Sequence, residues 1–198
     1  MFPDRILLVD RYAPLCRAWA ESFADYDDVE VVQGDFFSRD AHAMVSPANS
    51  FGIMDGGLDL AIRDELGFEI QAAVQKVILE RHHGELPVGS AEIVVTGHAR
   101  WPHLVVAPTM RIPESAAQTT NAYVAFRAIL LAVRRFNAEN DAGIRSVLVP
   151  GLCTGVGGMD PRRCAAQMKI AFDQVSKPAR IPSYAAIHET HRVLRSAG

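Results

Sequence analysis

The chain has 198 residues, 49% of them hydrophobic and 22% charged, enough for one sizeable core and too few for two ordinary domains. Twenty basic against 23 acidic residues leave a net charge of −3, which excludes a basic field for long nucleic-acid footprints but not a small anion site. Three scattered cysteines (Cys16, Cys153, Cys164) argue against a disulfide framework. The expectation is a single-domain, soluble, cytoplasmic protein over residues 1–198, with no membrane span, no signal peptide, and an oligomeric state the sequence leaves open.

Short apolar runs alternate with longer helical ones, the pattern of an α/β protein. Ile6-Leu7-Leu8-Val9 reads as a buried strand; Pro14 then starts a helix faced by Leu15, Trp19 and Phe23. Val29–Val32 and Ala43-Met44-Val45 are strands, the second running into the polar segment Ser46–Gly57. Helices follow from about Leu58 to Leu66 and through Ile70, Val74 and Ile78 to His82-His83-Gly84. Ala91–Thr96 and Leu104–Ala107 read as strands, and the longest helix begins near Thr119-Thr120. Ser146–Val149 is a buried strand that delivers the chain into a glycine-rich loop, and Asp160-Pro161 caps the next helix. Ser183–Ile187 reads as a last strand, and the tail beyond it as a surface segment. Trp19 is expected in the core and Trp101 in a loop or at a rim.

Two loops carry the chemistry. Pro150–Asp160 joins a strand to a helix and contains Gly151, Gly155, Gly157 and Gly158. Glycines let backbone amides approach an anion, and a helix start adds partial positive charge, so Cys153, Thr154, Gly155, Val156, Gly157, Gly158 and Met159 read as a phosphate cradle. The loop lacks the Lys-Ser/Thr pair of a Walker sequence, and a plain strand-to-helix turn is the bland alternative. The second loop, Ser46 to Asp59, also ends in a glycine pair and an acid in the first helical turn. Ligands of open α/β sheets bind outside strand carboxyl ends, so the two loops are placed to clamp one diphosphate. Asn49 offers a donor and an acceptor to a sugar hydroxyl. Cys153 lies where helix amides lower a thiol pKa, but no partner base is identifiable. His188 and His191 are three apart, not the four of a zinc-protease helix, and the lone Asp10 after the first strand lacks the acidic cluster of a Mg²⁺ site.

In these motifs the chain resembles a macro domain, the ADP-ribose-binding module, over about residues 29–175. Gly34-Asp35-Phe36 resembles the family's Gly-Asp-Ile, Val45-Ser46-Pro47-Ala48-Asn49 its Val-Asn-Ala-Ala-Asn, and Gly56-Gly57-Leu58-Asp59 its Gly-Gly-Val-Asp. Leu152–Gly158 resembles the Ile-Ser-Thr-Gly-Val-Tyr-Gly loop. The resemblance implies a three-layer α/β/α sandwich around a mixed, mostly parallel sheet, with the first strand and helix and the last tail as additions. It implies ADP-ribose, or an ADP-ribosylated protein, as ligand, with no cofactor and no metal. Asp35 would accept from the adenine amine, beside the Phe36 amide. Ser46, Ala48, Gly56, Gly57, Leu58 and the Cys153–Met159 stretch of the other loop would hold ribose and diphosphate. Asn49 and Asp59 would be catalytic in an ADP-ribosyl hydrolase acting on mono-ADP-ribosyl or O-acyl-ADP-ribose linkages. The alternatives are a non-catalytic reader of ADP-ribosylated partners and a binder of another nucleotide. Ser46 in place of Asn, Arg63 where hydrolytic members carry His, and Gly157 in place of Tyr depart from the pattern.

Overall fold

A computed structural model describes residues 1–196. Six strands, β1 (Arg5–Asp10), β2 (Val29–Gln33), β3 (Ala43–Ser46), β4 (Glu92–Val95), β5 (His103–Val106) and β6 (Ser146–Val149), form one sheet in the order β2-β1-β6-β3-β5-β4. All neighbours are parallel except β4, which runs antiparallel to β5. The helices are α1 (Ala13–Ser22), α2 (Gly57–Leu66), α3 (Glu69–His82), α4 (Asn121–Glu139), α5 (Pro161–Ser176) and α6 (Tyr184–Ser196). This is the expected three-layer sandwich.

The unbroken apolar strand runs follow from burial on both faces. Ile6 and Leu8 of β1, Val45 of β3 and Val147 of β6 face a core closed by α1, α4 and α5 through Trp19, Phe126 and Phe172. The alternate residues Leu7, Val9, Met44 and Leu148 face a second core, closed by Ile62 of α2 and Ile70, Val74 and Ile78 of α3. A one-residue slip in any of these strands would exchange the two sets.

β1, which precedes the region of resemblance, lies inside the sheet. It pairs with β2 on one side (Ile6 opposite Val29) and β6 on the other (Ile6 opposite Val147). With five strands parallel, the carboxyl ends of β2, β1, β6, β3 and β5 line one edge of the molecule.

Two local expectations are corrected. Ser183–Ile187 is not a strand: Ser183 Oγ accepts from the Ala186 amide at 3.3 Å and the segment enters α6. A short apolar run fits either element, and the continuing spacing of Tyr184, Ile187, His191 and Leu194 decides for helix. Leu194 docks on the body, where Gln167 Nε2 and Arg163 Nη2 donate to the carbonyls of Leu194 and Arg195 at 3.0 and 2.6 Å. Trp101 stands in a loop, the first of its two expected placements, but is fully buried there and not at a rim. Its Nε1 donates to the Arg39 carbonyl at 2.8 Å, so the indole is enclosed without an unpaired donor. No helix among the described residues is long and apolar enough to cross a membrane.

Candidate functional site

β3 and β6 are neighbours, so the two glycine-bearing loops leave the sheet side by side. Gly56 precedes α2 without any side-chain cap, and Gly57 has φ +57°, a conformation that suits a residue lacking Cβ. Among the described residues the amides of Gly56, Gly57, Leu58 and Asp59 donate to no protein acceptor. A Cβ at Gly56 or Gly57 would meet nothing within 4 Å, so this backbone is open to a ligand. Free N–H groups at an uncapped helix start are satisfied by water or by a bound anion.

The loop Pro150–Asp160 contributes differently. Asp160 caps α5 by accepting from the Arg162 and Arg163 amides at 2.8 and 3.2 Å, so that helix start is already satisfied. The free amides lie upstream. Those of Thr154, Gly155, Val156 and Gly157 have no acceptor among the described residues, whereas Gly158 donates to Gly155 (3.0 Å) and Met159 to Cys153 (2.9 Å). Gly155, Val156 and Gly158 are exposed, and Gly157 is buried. A Cβ on Gly157 would sit 2.6 Å from the Cys153 carbonyl oxygen, while the Gly157 carbonyl accepts from Ala116 at 2.9 Å. The loop therefore closes where the resemblance has tyrosine, and no side chain fits.

The surroundings of Cys153 disfavour a thiolate nucleophile. Its side chain is buried, its Sγ lies 3.9 Å from the Thr109 carbonyl, and burial pushes its pKa up to about 12. The expected lowering by helix amides does not occur, because the α5 amides are bound to Asp160 and the thiol points inward. Cys153 instead turns the chain, at φ +64°.

At the end of β2, Asp35 caps the short 3-10 helix Phe36–Ser38, accepting from the Phe37 amide at 2.8 Å. Its other oxygen pairs with the Arg11 guanidinium. The Phe37 amide first, and Arg11 second, hold its pKa below the usual carboxylate value. The Phe36 amide has no acceptor among the described residues, while the Phe36 ring is buried. Arg11 was missed from sequence; nothing in its local context signals a partner 24 residues away.

Ala48 is buried, and the Asn49 amide is largely committed to its own loop. Asn49 Nδ2 donates to the Ile53 carbonyl (2.7 Å), and Oδ1 accepts from Phe51 (3.1 Å) and Ile53 (3.3 Å). Ser46 is buried, and its hydroxyl donates to Asp59 Oδ1 at 2.7 Å. Burial pushes the Asp59 pKa up to about 6, against the lowering effect of that hydroxyl. Arg63, one turn further along α2, contacts Asp64 (3.3 Å) and lies 5.0 Å from the Phe68 ring centroid, contacts that leave Asp59 aside. Among the described residues no group of three or more His, Cys, Asp or Glu is placed to hold a metal ion; His188 and His191 are exposed on α6.

A mixed, mostly parallel sheet thus carries two loops with unpartnered amides beyond its strand carboxyl ends, the place where open α/β sheets bind their ligands. A sequence profile of the Macro domain family matches residues 45–168, and the chain belongs to that family. A relative called O-acetyl-ADP-ribose deacetylase, from Escherichia fergusonii, is 33% identical over 144 residues, which are 72% of this chain and 76% of that protein. Among solved structures, the macrodomain of Mycobacterium tuberculosis DarG superposes with TM-score 0.60 at 25% identity, covering 76% of this chain and 95% of that one. A mutant of the Oceanobacillus iheyensis macrodomain, solved with ADPR, superposes with TM-score 0.62 at 17% identity, covering 98% and 92%.

Proposed function

We propose that this chain binds ADP-ribose or a close derivative and hydrolyses an ADP-ribosyl linkage, of the mono-ADP-ribosyl or O-acyl-ADP-ribose type. The observation that carries the reading is the double set of unpartnered amides, residues 56–59 and 154–157, at the ends of adjacent strands, with Asp59 at the edge of one set. Unpartnered backbone amides on two loops that follow neighbouring strands suit the two phosphates of a diphosphate. Asp35 and the Phe36 amide, at the end of β2, supply an acceptor and a donor for the adenine edge. The family and the deacetylase relative support this choice of nucleotide.

Hydrolysis at the distal ribose needs a water aimed at the reacting carbon and a group to take its proton. A carboxylate titrating near pH 6 is suited to that exchange at neutral pH, since it is ionised yet still basic. Calorimetry with ADP-ribose and AMP, followed by an assay of ADP-ribose release from proteins modified on acidic side chains, tests the reading. Equal or absent heats for the two ligands would defeat the binding assignment.

A second reading, a reader of ADP-ribosylated proteins without turnover, has its own support. Three hydrogen bonds hold the Asn49 side chain to its loop, and no side chain fits at Gly157. ADP-ribose binding with no release from any modified protein would establish it. In both readings the partner is ADP-ribose or the modified protein, the place of action is the cytoplasm, and residues 1–198 act as one domain.

A further inference from the structure

Ser46 ends β3, 1% exposed, where an apolar side chain would serve the core equally well. Its hydroxyl donates to Asp59 Oδ1 at 2.7 Å. Asp59 Oδ2 has no hydrogen-bond partner among the described residues and is not fully enclosed by the protein. One carboxylate oxygen is tied to the sheet and the other is left free. The two residues come from different elements: a strand end and the first turn of an uncapped helix.

We infer that Ser46 is a positioning residue of the hydrolytic reaction, its hydroxyl holding Asp59 Oδ1 so that Oδ2 faces the attacking water. The inference rests on the hydrolase reading above. In the step it serves, Asp59 Oδ2 takes one proton from water while the water oxygen bonds to the anomeric carbon. The bond from that carbon to the acceptor carboxylate oxygen breaks, and its electron pair leaves with the carboxylate. The proton on Asp59 then returns to solvent. An untethered carboxylate rotates about its last bond and spends part of its time with neither lone pair on the water; the hydroxyl removes that freedom. By donating to the anion, it also keeps Asp59 ionised further down the pH scale.

The surroundings leave this pair as the controlling contact. β3 carries no charged residue. On α2, Arg63 is turned to Asp64 and Phe68, with Glu65 beyond it; Asp55 lies in the preceding loop, and Glu69 begins α3. None of these charges shifts Asp59, which responds to burial and to the Ser46 hydroxyl.

The experiment compares the full chain with Ser46→Ala, Ser46→Thr and Asp59→Asn. It measures kcat and KM for ADP-ribose release from acidic-residue-modified protein between pH 5 and 9. Ser46→Ala is expected to lower kcat about tenfold with KM changed less than about threefold, because the base is misplaced and not removed. Its acidic limb should move up by about half a pH unit, since the donor to the anion is gone. Ser46→Thr, which keeps the hydroxyl, should restore both. A ¹³C-carboxyl titration of Asp59 in the ligand-free protein reads the same upward shift independently of turnover and of any loss in folding. Wild-type kcat and an unmoved acidic limb in Ser46→Ala, with Asp59→Asn inactive, overturn the proposal alone. ADP-ribose binding without turnover in the unaltered chain overturns the hydrolase reading and this proposal together.

Discussion

Asp10 Oδ2 accepts a hydrogen bond from the Gly151 amide at 3.2 Å, across 141 residues of chain. Its Oδ1 accepts from Tyr12 at 2.8 Å, so one carboxylate ties the first strand-to-helix corner to the start of the second amide-rich loop. A Cβ on Gly151 would lie 2.7 Å from Leu15 Cδ2 and 2.8 Å from Asp10 Oδ2, and it would also collide with the Thr154 hydroxyl. Gly151→Ala should therefore displace the loop from the sheet edge. The expected cost is roughly 1–3 kcal/mol of stability, with a matching loss of ADP-ribose affinity. Chemical denaturation and calorimetry on the same preparation would check both, and an unchanged affinity would contradict the coupling.

Because β1 is flanked by β2 and β6, a chain beginning at Val29 should not fold. Removing β1 strips β6 of one partner and leaves β2 with none, and it uncovers both cores at once. A dispersed amide proton spectrum from residues 29–196 alone would refute this.

Asp59 sets stability against function. Its pKa stands at about 6 in the folded chain, above the ordinary 3.8. Below pH 4 both folded and unfolded chains hold the proton, so stability does not change with pH and none of it has yet been lost. Between pH 4 and 6 only the folded chain still holds it, and the stability this confers is lost as pH rises. At pH 7 the buried charge is a net cost, so Asp59→Asn should stabilise the protein there by roughly 1–3 kcal/mol while abolishing release of ADP-ribose. Melting curves at pH 4 and pH 7 should show the gain only at the higher pH.

Asn49→Ala removes three hydrogen bonds that shape the loop through Ile53, and it should cost roughly 1–3 kcal/mol of stability. If Asn49 also orients the ribose, turnover measured well below the melting temperature should fall by more than the loss of folded protein explains. Equal losses would assign it to the loop alone.

Asp35→Ala should weaken ADP-ribose binding by roughly 1–3 kcal/mol, through loss of a charged acceptor for the adenine amine. Arg11 competes for the same carboxylate, so Arg11→Ala should leave Asp35 more available and should not weaken binding in the same way. Calorimetry on the two variants separates these outcomes.

Local chemistry made much of this molecule legible in its sequence. Strand runs such as Ser146–Val149 and the Asp160-Pro161 helix start stand where their apolar pattern and capping chemistry put them, because both act within a few residues. The two glycine-bearing loops were readable as strand-to-helix connections for the same reason, since their glycines and caps act locally. Ser183–Ile187 and Trp101 were not readable, since a four-residue apolar run fits strand or helix and the burial of an indole depends on what folds over it. Tertiary structure alone placed β1 between β2 and β6, joined Asp10 to Gly151 and Arg11 to Asp35, and brought the Ser46 hydroxyl to Asp59. Strand pairing and side-chain contact across tens of residues are set by how whole elements pack, a property that no local window of sequence contains.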